Sequence, residues 1–264
     1  STTTTTTTTA TNPTAVLGYR PGMRVLTVGD GDLGFSVALA RRGCRVTATT
    51  HESRAVLVQC YHPNEASFVA HETELRTVWH APVRHGVDAT RLVETLLPPP
   101  QRDASVVDCE DGTTMTAIIV TKFDRIVWNF PCAAVPGGRD GQNDVMDDNK
   151  ALIRAFVQSA ASLLAPRGGQ IHMNHKTKPP FYQWRIQDVA CGVSLLASAP
   201  IDRPLEKHNM TTPTTTIPKP TTATTTGSTG RCGAPRIRYC GRIVLDRLLF
   251  PPYVPCKALG RKSF

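Results

Sequence analysis

The chain has 264 residues, 40% apolar and 19% charged, which suits a soluble globular core of one large or two small domains. No apolar run approaches the ~20 residues of a membrane span, and no membrane partner is expected. The net charge of +9 and the pI near 9.4 favour a polyanionic partner such as nucleic acid or an anionic surface.

Residues 1–14 form a Thr-rich tract with no basic or apolar signal region, so the sequence reads as a disordered tail on a piece of a longer protein. Strand-like and helical segments then alternate. A strand is expected over 24–29, a helix over 33–42, a strand over 44–50 and helices over 52–60 and 64–79. A short strand over 83–87 ends at Asp88, and a short helix follows over 90–97. Residues 117–120 and 123–130 are strand-like. Residues 149–165 carry apolar residues at i, i+3 and i+4 and give the strongest helix signal. A strand over 169–174, a helix over 180–191 and a strand over 193–198 complete the alternation. This order predicts one α/β domain over 15–264, with a mostly parallel sheet and helices on both faces. A disordered Thr/Pro-rich insertion interrupts it at about 207–230.

Ligands of such sheets sit at the carboxyl ends of the strands. The first strand runs into "VGDGDLGFS", where Gly29, Gly31 and Gly34 spell the dinucleotide pattern G-x-G-x-x-G. Asp30 and Asp32 contradict a pyrophosphate there. One carboxylate about 4 Å from a phosphate charge costs roughly 4 kcal/mol at an effective dielectric near 20. A ligand with an ammonium and a sulfonium, such as S-adenosylmethionine, would instead pair with them. Either aspartate could also cap the following helix. Glu52 ends the second strand, where a carboxylate can accept both ribose hydroxyls. Asp88 follows the third strand and could accept an adenine amino group. The fourth apolar strand ends in Asn129-Phe130-Pro131, a variant of the Asn-Pro-Pro-aromatic element that holds a planar target base in many amino- and ring-nitrogen methyltransferases.

No metal site is expected. The eight cysteines form no C-x-x-C pair and read as reduced, buried, intracellular thiols. The D-G-D run lacks the spacing and terminal Glu of a calcium loop. Residues 231–264 concentrate positive charge in Arg231, Arg236, Arg238, Arg242, Arg247, Lys257, Arg261 and Lys262 against one acid, Asp246.

Five segments, "VLTVGDGDLGFSVALA", "GVDAT", "FDRIVWNFPC", "QIHMNHKTKPPFYQW" and "FPPYVPCKALG", occur in that order. Together they resemble the Rossmann-like domain of the eukaryotic large-subunit rRNA uridine-N3 methyltransferases over about 22–202 and again over 249–264. The resemblance implies a class I S-adenosylmethionine-dependent fold and methylation of N3 of an unpaired uridine in ribosomal RNA. It places Gly29, Asp30, Gly31 and Asp32 at the methionine end of the cofactor, Glu52 at the ribose and Asp88 at the adenine. It gives Asn129, Phe130 and Pro131 to the target base, and His175, Lys176 and Thr177 to the mouth, where the charges of Lys176, Lys178 and Arg185 are expected to bind RNA phosphates. It further implies rRNA or the pre-ribosome as partner, a monomer, and action in the nucleolus, with the cytoplasm or mitochondrion as alternatives. A carboxylate or the Asn129 amide oxygen is expected to accept from N3–H, and His172 and His175 are candidate bases. The sequence departs from the family at Asp30 (Glu in relatives), Leu33 (an aromatic), Gly34 (Ser) and Cys132 (His or similar), and its end stops where relatives begin a last strand. A non-catalytic assembly factor and a nicotinamide-dependent oxidoreductase are the competing readings.

Overall fold

The computed structural model describes residues 17–61, 65–96, 122–133, 146–179, 181–191 and 237–255. Five parallel strands form one sheet: β1 (Arg24–Val28), β2 (Arg45–Thr49), β3 (Val83–Arg84), β4 (Arg125–Asn129) and β5 (Gln170–Asn174). Their order is β3-β2-β1-β4-β5. The chain therefore reverses its winding between β1 and β4, the place where a doubly wound sheet opens a ligand crevice.

Side chains of a strand alternate between the two faces of a sheet. Val25 and Val127 join one apolar cluster, with Phe35, Leu39, Leu57, Phe68 and Leu75. Leu26, Val28, Ile126 and Trp128 join the other, with Leu92, Ile153, Phe156 and Trp184. The first cluster is covered by α1 (Gly34–Arg41), α2 (Arg54–Cys60) and α3 (Glu65–Thr77). The second is covered by α4 (Leu92–Leu96), α5 (Met146–Ala161) and α6 (Ile186–Cys191). Both sheet faces are thus buried, as the apolar strands require.

The elements match the expected order, with four local differences. The strand near 83 stops at Arg84, because Gly86 turns at φ +71° and the chain folds over the end of β2, where Val87 N donates to Thr50 O. The helix expected from 149 begins at Met146, with Asp147 and Asp148 in its first turn beside the positive end of the helix dipole. It ends at Ala161, since Leu163 and Ala165 leave the helix to exchange backbone hydrogen bonds with Phe123. The helix expected over 180–191 divides at Arg185, which lies at φ +48°. A 3-10 turn, Phe181–Trp184, precedes it, and that turn drives Trp184 into the core. The expected strands at 117–120 and 193–198, the Thr-rich tract over 1–14 and the Thr/Pro-rich insertion lie outside the described residues.

Residues 237–255 return to α1, more than 200 positions upstream. Phe250 and Tyr253 are buried against Phe35, with ring centroids 5.3 and 5.0 Å away. The Arg42 guanidinium covers Phe250 at 5.0 Å. Cys44 is buried and the other four described cysteines are not, Cys132 and Cys240 being exposed; all five are free thiols. The expectation of buried thiols therefore fails at the surface pair.

Candidate functional site

The loop after β1 is shaped by what packs against it. Gly29 adopts φ +61°, and a Cβ there would stand 3.0 Å from the Trp128 indole nitrogen. A Cβ on Gly31 would stand 1.9 Å from the Tyr61 hydroxyl, on a buried ring stacked against Phe68. Both glycines are thus required by the protein's own side chains, before any ligand enters.

The aspartates of this loop are turned toward α1. Asp30 is buried, and its Oδ2 accepts from the Ser36 N–H at 2.7 Å and from the Ser36 hydroxyl at 2.5 Å. Asp32 Oδ1 accepts from the Gly34 N–H at 3.1 Å. Leu33, the N-cap residue, gives no side-chain cap. The two carboxylates therefore occupy N–H groups at the first turn of α1, where a dinucleotide would place its pyrophosphate. A phosphate at this turn would lose those donors and meet two negative charges.

Burial pushes the Asp30 carboxyl up to about 6, and the Asp32 charge pushes the same way, against the Ser36 hydrogen bonds. The folded carboxyl thus holds its proton to a higher pH than the unfolded one, whose value is near 3.9. Native stability should fall as pH rises from about 4 to about 6, by roughly 3 kcal/mol from this group. Asp30→Asn keeps an acceptor for Ser36 and removes the charge. Denaturant unfolding at several pH values should show this decline in the wild type and a flatter profile, with higher stability at pH 7, in the variant.

The next two strand ends carry the other acidic residues. Glu52 is exposed, and its carbonyl accepts from Thr50 Oγ1 at 2.9 Å and from Gly86 N at 3.2 Å, tying the loop after β2 to the loop after β3. Asp88 caps a 3-10 turn, Ala89–Arg91, with Oδ1 accepting from Thr90 N and Thr90 Oγ1 at 2.8 and 2.7 Å. Behind them, buried Glu72 binds Arg54, Arg76 and His85, and His85 Nδ1 lies 2.8 Å from Thr50 Oγ1. Burial raises the Glu72 carboxyl, but hydrogen bonds from Arg54, His85 and Arg76 outweigh it and hold the group below the usual range.

At the other side of the crevice, β4 and β5 end in register, Asn129 opposite Asn174. The Asn174 amide donates to Asn129 Oδ1. Phe130 follows at φ +54°, held by donation from its N–H to Asn174 O at 2.9 Å. A non-glycine residue in that region stores strain that its surroundings must hold. A pocket opens beside it. Phe130, Pro131 and Cys132 form one wall, and His175, Lys176, Phe181 and Trp184 form the rest. The His175 ring lies 4.7 Å from Trp184 and 5.6 Å from Phe181, and the Lys176 ammonium sits 5.0 Å over Phe181.

The expected residues are therefore distributed in two groups along the carboxyl ends of the strands: Gly29, Asp30, Gly31, Asp32, Glu52 and Asp88 after β1 to β3, and Phe130, Pro131, His175 and Lys176 in the pocket after β4 and β5, with Asn129 at the end of β4 outside its lining. Thr177 and Lys178 are exposed and do not line it. Arg185 is ion-paired with Asp188 at 2.6 Å. Trp184, Phe181, Asn174 and Tyr61 had no part in the expected site. The run "PPFYQW" was the one available signal for the two aromatic pocket residues.

The family model described as rRNA (uridine-N3-)-methyltransferase BTM5-like matches residues 26–202. The chain belongs to the BMT5-like family. The match runs from β1 beyond α6 and takes in both groups of site residues. With the strand order it gives the BMT5-like chain a Rossmann-like, class I methyltransferase fold. Two Arabidopsis thaliana proteins are similar to it. Heavy metal-associated isoprenylated plant protein 41 is 28% identical over 177 residues, 65% of this chain and 29% of that protein. Uncharacterized protein At4g26485 is 26% identical over 181 residues, 67% of this chain and 74% of that protein. The chain thus spans under a third of the first and about three quarters of the second. Among solved structures, the glycopeptide N-methyltransferase MtfA aligns at 16% identity with a TM-score of 0.32, over 57% of this chain and 45% of that one.

Proposed function

We propose that this BMT5-like chain is an S-adenosylmethionine-dependent methyltransferase acting on N3 of an unpaired uridine in large-subunit ribosomal RNA. The observation that carries the reading is the occupied first turn of α1, where Asp30 and Asp32 take the Ser36 and Gly34 N–H groups. That turn suits a cofactor without phosphates and with a cationic amino-acid end. Asp32, less buried than Asp30, would face the methionine ammonium, while Asp30 holds the loop. Glu52 would accept from the ribose and Asp88 from the adenine. S-adenosylmethionine supplies an electrophilic methyl group on its sulfonium.

The protein's part is position and electrostatics. N3 is hidden in a paired uridine, so the base must leave its helix and enter the pocket, against the face of Phe130. Lys176 brings positive charge to the pocket wall, and exposed Lys178, Arg238, Arg242 and Arg247 would meet phosphates in a salt-dependent way.

Calorimetric titration with S-adenosylmethionine and with NAD tests the cofactor, and tritiated-methyl transfer to unmodified rRNA tests the reaction. Binding of S-adenosylmethionine alone, followed by label in N3-methyluridine, is expected. NAD binding without S-adenosylmethionine binding would reverse the reading. Cofactor binding with no transfer to any RNA would instead favour the assembly factor.

A further inference from the structure

His175 is a histidine with a fixed tautomer and one unused nitrogen. Its Nδ1 lies 2.9 Å from Lys176 O. A carbonyl can only accept, so Nδ1 carries the proton and donates. Nε2 is then a bare acceptor. It is buried and meets no hydrogen-bond partner among the described residues. A buried acceptor without a donor is destabilising, and a ligand donor in the same pocket would relieve it.

We propose that His175 Nε2 accepts the N3–H of the target uracil, first as a hydrogen bond and then as a proton. The assignment rests on the methyltransferase reading of this site. Three other features select His175. The Asn129 amide oxygen, the alternative acceptor, is engaged by the Asn174 amide. His172 has both nitrogens engaged, Nδ1 with the Tyr19 hydroxyl at 2.8 Å and Nε2 with Gln170 Oε1 at 3.1 Å. The Cys132 thiol donates to Ala133 O at 3.4 Å. Uracil offers a donor at N3, whereas cytosine offers a lone pair that would oppose the lone pair of Nε2.

The step balances within the pocket. The N3–H bond breaks and its proton goes to Nε2. The freed electron pair of N3 forms the N3–CH3 bond, and the pair of the S–CH3 bond stays on sulfur. The resulting imidazolium then releases its proton to water. The titratable groups facing the ring are Lys176 from its own strand end and Cys132 from the loop after β4; the Phe181–Trp184 turn contributes aromatic rings. Burial, with the Lys176 charge, holds His175 below its ordinary value. The ring is therefore neutral and ready to accept at pH 7.

The test uses the full chain and two single-stranded RNA pentamers, A-A-U-A-A and A-A-C-A-A. Fluorescence anisotropy should show the uridine pentamer bound about tenfold more tightly than the cytidine one. His175→Phe should abolish this preference, and His175→Gln, which keeps an acceptor, should preserve most of it. With S-adenosylmethionine added, His175→Gln should lower kcat about a hundredfold. The acid limb of the wild-type rate, below pH 6.5, should disappear in that variant. An equal affinity for the two pentamers, or a preference unchanged in a folded His175→Phe protein, overturns the assignment. So does an unchanged kcat in His175→Gln. A preference that depends on His175 in a chain that transfers no methyl group supports the base contact and overturns the methyltransferase reading instead.

Discussion

Replacing Asn129 by Ala is expected to lower methyl transfer about a hundredfold or more while leaving S-adenosylmethionine affinity within about twofold. Asn129 is the last residue of β4, in register with Asn174 of β5. Its amide oxygen is engaged by Asn174, so the orientation of the amide is fixed and its NH2 is the remaining donor. A uracil whose N3–H faces His175 carries a carbonyl on each side, and an amide NH2 is the group such a carbonyl needs. Ala removes that donor and also leaves the Asn174 amide without its acceptor. The residues proposed to hold the cofactor lie at the ends of β1 to β3 and are untouched, which is why binding and turnover should separate. Asn174→Ala should act in the same direction with a smaller loss, because it acts through Asn129. The double variant should be less impaired than the sum of the two. Single-turnover methyl transfer and calorimetry on the same preparations measure both quantities. Equal losses in affinity and turnover would show instead that the crevice as a whole had collapsed.

Trp184→Ala is expected to cost about 3–5 kcal/mol of stability, the range for truncating a buried large aromatic residue. Trp184 is 1% exposed and packs in the cluster of Ile153, Phe156 and Val189. For a chain of this size such a loss lowers the melting temperature by about 10 °C, read by calorimetry. The same ring lies against His175 at 4.7 Å. Truncation should therefore also weaken binding of the uridine pentamer at temperatures where the variant is still folded. Trp184→Phe should recover part of both. Loss of stability with full pentamer affinity would show that the pocket wall does not need this ring.

The sheet was legible because its strands are short runs rich in apolar and β-branched residues and its connections carry the 3.6-residue period. Residues 24–28, 45–49, 125–129 and 170–174 fall inside the expected strands for that reason. Asn129-Phe130-Pro131 was legible because a polar-aromatic-proline end on a buried strand is a local pattern. The break at Arg185 was not, since nothing local in "FYQWRIQDV" forbids a continuous helix. Burial of Trp184 against α5 and β5 outweighs that local preference.

By itself the sequence determined the α/β class, the strand order along the chain and the acidic character of the first three strand ends. Each depends on residues within a few positions of one another. The tertiary structure decided the rest. It made Gly31 a seat for Tyr61. It also set Asn174 on Asn129 and left Nε2 of His175, rather than of His172, without a partner among the described residues. Those outcomes depend on which distant groups satisfy one another's hydrogen bonds and fill one another's space. Only the packed fold, which brings positions 31 and 61, and 129 and 174 together, fixes that pairing.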